Sequence, residues 1–146
     1  MKISSSAFES EGLIPEKYTC DGVNVNPPLL IEEVPEGTKT LALIVDDPDA
    51  PVGIWVHWLV WNIPPDTTEI QENSKPSGTE GTTSFGTVGY GGPCPPSGTH
   101  RYLFKVFALD TEIDLDSKGD KASLESRMEG HIIDKVMYMG KYSSND

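Results

Sequence analysis

The chain has 146 residues, 36% hydrophobic and 23% charged, the profile of a globular chain long enough to bury a core and not that of a disordered tail. Eleven Lys and Arg against 23 Asp and Glu leave a formal net charge of −12, which argues against nucleic acid as a partner, because that affinity rests on many cation–phosphate contacts. It argues equally against docking on anionic lipid faces, since no basic cluster is present.

No apolar run approaches the roughly 18 residues that span a bilayer. The opening MKISSSAFESEGLIP lacks the apolar stretch of a signal peptide, so a cytoplasmic protein is expected. Gly and Pro, 14 and 12 in number, are spread over the whole length with short alternating or apolar runs between them. That pattern belongs to an all-β sandwich or barrel. The runs predict strands over Lys2–Phe8, Leu29–Glu32, Thr40–Asp46, His57–Ile63, Ser84–Phe85 and Tyr102–Leu109. Within them LALIV (41–45) and WLVWNI (58–63) read as buried strands. The stretch Pro64–Gly81 has little hydrophobic content and reads as an exposed surface excursion.

One helix is predicted over Lys121–Val136, where Leu124, Met128 and Ile132 recur at i, i+4 and i+8 and Ile133 and Val136 widen the apolar stripe. His131 would fall on or beside that stripe as a hydrogen-bonded core residue. The final MYMGKYSS reads as a short closing strand. No linker divides the chain, so one domain over residues 1–146 is expected: an all-β, sandwich-like pair of antiparallel sheets with one C-terminal helix.

Cys20 and Cys94 stand 74 positions apart and form neither a CxxC motif nor a zinc cluster. Both sit in Gly/Pro-rich loops that can meet in space. Free thiols are the expectation in a cytoplasmic protein, with a bridge as the alternative.

Two segments concentrate functional side chains at strand ends. In DDPDAPVGIWVHW (46–58) two prolines stiffen a turn that holds Asp47 and Asp49 where a carboxylate can orient an imidazole, and His57 follows in the next strand. In YGGPCPPSGTHRY (90–102) glycines let backbone N–H groups approach a ligand, and the loop delivers His100, Arg101 and Tyr102. Strand alternation puts His100 and Tyr102 on one face and turns Arg101 away, towards a structural ion pair. Two imidazoles, a phenol, loop N–H groups and a carboxylate supply the donors for a small oxyanion. Trp55 and Trp58 flank His57 and can wall such a pocket, although packing is the commoner use of such rings. A hydrolase using His57 as base and Asp47 as its orienter is a rival, but no G-x-S-x-G elbow occurs and Cys94 is confined between prolines. A metal site from Asp47, His57 and His100 lacks the tight ligand spacing of dedicated sites.

The D-P-D-A-P…H-W stretch followed by G-x-x-x-P-P-x-G-x-H-R-Y closely resembles the two signature regions of the phosphatidylethanolamine-binding protein family, which includes the Raf kinase inhibitor protein and plant flowering regulators. YTCDG…NPPL and MEGHI look most like its bacterial and archaeal branch, and the likeness runs over nearly the whole chain. It implies a two-sheet antiparallel fold with a small pocket for phosphate-type anions such as phosphoethanolamine or a phosphorylated group. It also implies inhibition of a partner kinase or protease without catalysis, and no cofactor or metal. Carried over by position, the pocket would use Asp47, Pro51, Trp55, His57, His100 and Tyr102, with Pro95 and Pro96 as its rim and a cis Ala50–Pro51 bond. Members of the microbial branch can form homodimers. The loop before His100 is shorter than in animal members and their C-terminal extension is missing, so Raf itself is not implied as a partner. A pure interaction module with a vestigial pocket is the main alternative reading.

Overall fold

In the computed structural model, which describes residues 1–143, the two most apolar runs lie side by side inside the larger of two sheets. The strands are β1 (Lys2–Ser4), β2 (Leu29–Glu32), β3 (Thr40–Asp47), β4 (Trp55–Ile63), β5 (Glu69–Ile70), β6 (Thr79–Glu80), β7 (Thr99–Leu109) and β8 (Ile132–Ser143), and the helix α1 is Lys121–Met128. The sheets run β1-β2-β5 and β6-β4-β3-β7-β8, with antiparallel pairing throughout. This is the two-sheet antiparallel architecture, with a single α-helix among the described residues and that one towards the C-terminus, that the run pattern predicts.

β3 is buried along its whole length because both its faces are covered. Leu41, Leu43 and Val45 pack with Trp58, Val60, Tyr102 and Phe104, and with Ile3, Leu29 and Ile31 of the smaller sheet. Ala42 and Ile44 face the other way, into a cluster with Leu59, Trp61 and Phe107 that Leu124 and Met128 of α1 close. Each such aliphatic side chain contributes about 1.5–3 kcal/mol on burial, which is why the run 41–45 carries no alternation of polar residues.

β3, β4 and β7 each reach one to three residues further than the sequence reading, to Asp47, from Trp55 and from Thr99, and the larger differences have local reasons. β1 stops at Ser4 instead of Phe8: the Ser5 hydroxyl donates to Pro28 O at 2.6 Å and accepts the Ala7 N–H at 3.2 Å, replacing the ladder with a side-chain turn. Ser84–Phe85 is no strand; Ser84 meets β4 only through Val56, its N–H donating to Val56 O and its hydroxyl accepting the Val56 N–H. Pro64–Gly81 contributes β5 and β6 and is anchored by Ile70, 2% exposed, so it is a tied strap and not a free excursion.

The largest correction concerns the helix predicted over Lys121–Val136. It begins as expected, with the Asp120 side chain accepting the Ser123 N–H at 2.9 Å, but it ends at Met128. Gly130 then takes a φ of +80°, a conformation glycine enters without a Cβ penalty and one that commonly ends helices. Ile132–Ser143 form a long strand paired along β7, which suits β-branched Ile132, Ile133 and Val136. Ile132 and Ile133 are therefore exposed, not buried. His131 is exposed as well, its Nδ1 2.8 Å from Asp110 Oδ1, and lies on no core stripe. The closing MYMGKYSS is the second half of β8; its last residue, Ser144, lies outside the described residues. Among the described residues no helix is long and apolar enough to cross a membrane.

Candidate functional site

β3 ends at Asp47, while β4 begins at Trp55 and β7 at Thr99; antiparallel pairing brings these three termini to one end of the larger sheet. The loops 48–54 and 82–98 close over that end and leave a cavity of about 410 Å³. Asp47, Pro51, Trp55, His57, Pro96, His100 and Tyr102 all line it, together with Pro95 of the rim and Ala50, Val52, Phe85 and Cys94. Asp47 is the single formally charged side chain in this lining, and no Lys or Arg belongs to it.

A β-bulge places His57. Val45 pairs with Trp58 but Asp46 pairs with Val56, so one step on β3 spans two on β4 and His57 is the extra residue. Bulges of this kind re-aim side chains beside functional sites. Here the bulge turns the imidazole to the Tyr102 side of the sheet, its ring centroid 5.3 Å from that of Tyr102 at 80°. His100 reaches the same phenol from within β7, 6.5 Å away and nearly parallel. Arg101 points to the opposite face, as alternation requires.

Each ring has one nitrogen committed. His57 Nδ1 lies 2.6 Å from Gly91 O; a carbonyl only accepts, so Nδ1 carries the proton and Nε2 is the nitrogen left for the cavity. His100 Nδ1 lies 2.6 Å from Asp47 Oδ2, which orients its Nε2 in the same way. The sequence reading paired Asp47 with His57 in its hydrolase alternative; the carboxylate serves His100 instead, because the bulge hands His57 to the Gly91 carbonyl. Burial lowers the His57 pKa, against the opposing pull of the Gly91 carbonyl and the Asp47 and Asp46 carboxylates. Burial, reinforced by Asp47 and Asp49, pushes the Tyr102 phenol up, so it stays protonated. The Tyr102 hydroxyl is fully buried and has no hydrogen-bond partner among the described residues; the Cys94 backbone N–H faces its oxygen without reaching hydrogen-bond geometry.

The remaining residues brace this hollow. Asp47 Oδ1 accepts the Asp49 N–H at 2.7 Å, an Asx turn that fixes the first carboxylate. Asp49 orients no imidazole. Its carboxylate takes the Arg101 backbone N–H, Nε and Nη2 at 2.9, 2.9 and 2.8 Å, which holds its pKa down at about 2 and ties the turn to β7. Trp55 walls the cavity with Phe85 set edge-on at 5.4 Å. Trp58 does not join it: its ring is in the core and its Nε1 donates to Glu80 Oε2 at 2.8 Å. Phe85, which also packs edge-on against His57, went unrecognised in the sequence because a lone aromatic in a Gly-rich loop carries no periodic signal.

The rim is locked by a feature the sequence reading placed second. Cys20 and Cys94 form a disulfide, against the expectation of free thiols. Their loops press so closely that a Cβ on Gly92 would lie 2.2 Å from Tyr18 O and 2.4 Å from Asn24 Oδ1, and only glycine fits there. The Gly92 N–H donates to Asn24 Oδ1 and the Cys20 N–H to Pro93 O, which holds the two sulfur-bearing turns together. On a chain-entropy view, closing so long a loop removes about 4 kcal/mol of disorder from the unfolded chain. The Ala50–Pro51 bond is trans, the isomer that X–Pro amides favour by default, and not cis as the resemblance suggested. Among the described residues no group of three His, Cys, Asp or Glu side chains is assembled to hold a metal ion.

An antiparallel two-sheet protein with a His/Tyr/Asp hollow at the end of its larger sheet is the class that this fold and geometry define. The chain belongs to the phosphatidylethanolamine-binding protein family, whose sequence model matches residues 4–143. A UPF0098 protein of Methanothermobacter thermautotrophicus is 47% identical, the alignment covering 97% of this chain and 98% of that one. Among solved structures, a putative phosphatidylethanolamine-binding protein homolog of Chlamydia trachomatis superposes with a TM-score of 0.95 at 38% identity, over 98% of this chain and 97% of its own. YbcL of E. coli, described as a member of the mammalian family, superposes with a TM-score of 0.92 at 33% identity, over 99% and 98%.

Proposed function

We propose that this protein binds small phosphate-type anions, phosphoethanolamine-like or phosphorylated groups, in the Asp47–His57–His100–Tyr102 hollow, and that it does so without catalysis. The observation that carries the reading is the buried Tyr102 hydroxyl, which donates to nothing in the protein and lies against two imidazoles whose inner nitrogens are already committed. A buried donor without an acceptor costs about 1–3 kcal/mol, and a bound oxygen removes that cost. The thiol that a covalent mechanism would use is tied up in the Cys20–Cys94 bond.

Bound phosphate would make the rim a regulatory surface. Val52, Ile54, Phe85 and Val88 are exposed on the two loops that close the cavity, which favours docking of a partner protein, a kinase or protease by family resemblance, over the same opening. A pure interaction role with an idle hollow rests on the same apolar rim.

Calorimetric titration with phosphoethanolamine separates these readings. Wild type is expected to bind, and His100→Ala to lose about tenfold or more in affinity, the worth of one hydrogen bond to a charged group. Equal binding by both forms would end the anion reading and leave the rim as the functional feature.

A further inference from the structure

We infer that His57 is a proton acceptor that selects oxyanions carrying a proton, such as phosphate monoesters, over oxyanions of the same shape and charge that carry none, such as sulfate monoesters. The inference rests on the anion-binding reading and names its ligand class.

Three observations converge. His57 has already spent its Nδ1 proton on the Gly91 carbonyl, so in the neutral ring Nε2 offers a lone pair to the cavity and not an N–H. The lining supplies no Lys or Arg, while Asp47 contributes a full negative charge. A doubly charged ligand therefore meets no ammonium or guanidinium group in the lining. Third, the groups at the cavity ask for different ligand atoms: the Tyr102 hydroxyl is a buried donor with no acceptor among the described residues, and the His57 lone pair is satisfied only by an O–H. A phosphate monoester in its singly charged form has both kinds of oxygen; a sulfate ester has only acceptors.

The surroundings of His57 keep it in this role. From β3 the Asp47 and Asp46 carboxylates act on it, and from β7 His100 and Tyr102, with the Asp49–Arg101 pair beyond them. The 82–92 segment presents the Gly91 and Gly92 carbonyls and the Phe85 ring. The carboxylates and carbonyls favour a protonated ring, but burial outweighs them and leaves it neutral near pH 7.

Methyl phosphate and methyl sulfate form the matched test pair, because near pH 6 the first is about half singly charged and the second wholly so. Titration calorimetry at pH 6 is expected to show methyl phosphate bound at least about tenfold more tightly, since the sulfate leaves a buried acceptor unpaired. Repeated at pH 7.5 in buffers of different ionisation heat, methyl phosphate binding is expected to take up about one proton, the phosphate's second pKa lying near 6. In His57→Gln, whose amide can turn an N–H to the ligand, the preference should shrink towards parity; His57→Asn, which keeps a group for Gly91 and removes Nε2, should do the same. Equal affinity of wild type for both esters, or methyl phosphate binding without proton uptake, overturns the inference and leaves the anion reading standing. Binding of neither ester overturns both.

Discussion

Asp46 and Asp47 are neighbours on β3, 1% and 3% exposed, and nothing in their immediate sequence separates them. One step along a strand turns them to opposite faces. Asp46 looks towards α1, where its Oδ2 lies 3.1 Å from Lys105 Nζ and 3.8 Å from Lys121 Nζ, and its Oδ1 has no partner. Asp47 looks into the cavity, where both oxygens are used, one by His100 and one by the Asp49 N–H. The first carboxylate is neutralised by ammonium groups and contributes to holding the helix layer. The second orients an imidazole whose other nitrogen faces the cavity. Two identical buried acids thus divide into one that meets the lysines near the helix and one that orients a cavity imidazole, by what the opposite layer supplies.

The sharpest way to break this division is to remove the structural acid. Asp46→Ala leaves the partly buried Lys105 without a counter-charge, while Lys121 keeps Glu125, and is expected to cost about 3 kcal/mol in urea unfolding. Phosphoethanolamine affinity should stay within about threefold, because Asp46 does not line the cavity and acts on His57 only through space. A tenfold loss of affinity in a still-folded protein would mean that the two faces are coupled. The converse comes from the cavity. Tyr102→Phe removes a hydroxyl that pairs with nothing in the protein, so stability should move by less than about 1 kcal/mol while affinity falls about tenfold. Unchanged affinity on calorimetry would show that the phenol serves packing alone. The smallest effect lies at the brace between the faces. Asp49 is held at about 2 by Arg101, below its unfolded value of about 3.9, so the pair's contribution is present above about pH 4 and is lost as pH falls towards 2. In Arg101→Ala the Asp49 carboxyl should titrate near its ordinary value by NMR; an unmoved midpoint would assign the shift to another cause.

Much of the site was legible in one dimension. The prolines of DPDAP and the glycines of YGGPCPPSG mark stiff turns, and period-2 alternation alone puts His100 and Tyr102 on one face with Arg101 on the other. The fold was legible in the unbroken apolar run 41–45, which only a strand covered on both faces tolerates. The C-terminal region misled for an equally physical reason. Leu124, Met128 and Ile132 satisfy helical spacing by arithmetic, and one glycine in a left-handed turn redirects the chain before the third of them is reached.

By itself, then, the chain's order of residues determined the strand content, the two loop-borne clusters and the shared face of His100 and Tyr102, because those follow from local backbone preference and periodicity. Only the tertiary structure decided which imidazole Asp47 orients, that His57 donates its Nδ1–H to Gly91 O, that the tips of the 18–24 and 90–96 loops are joined by sulfur, and that Asp46 faces lysines. Those outcomes depend on a bulge that breaks the two-residue alternation and on contacts between segments dozens of residues apart, and neither leaves a mark in local sequence.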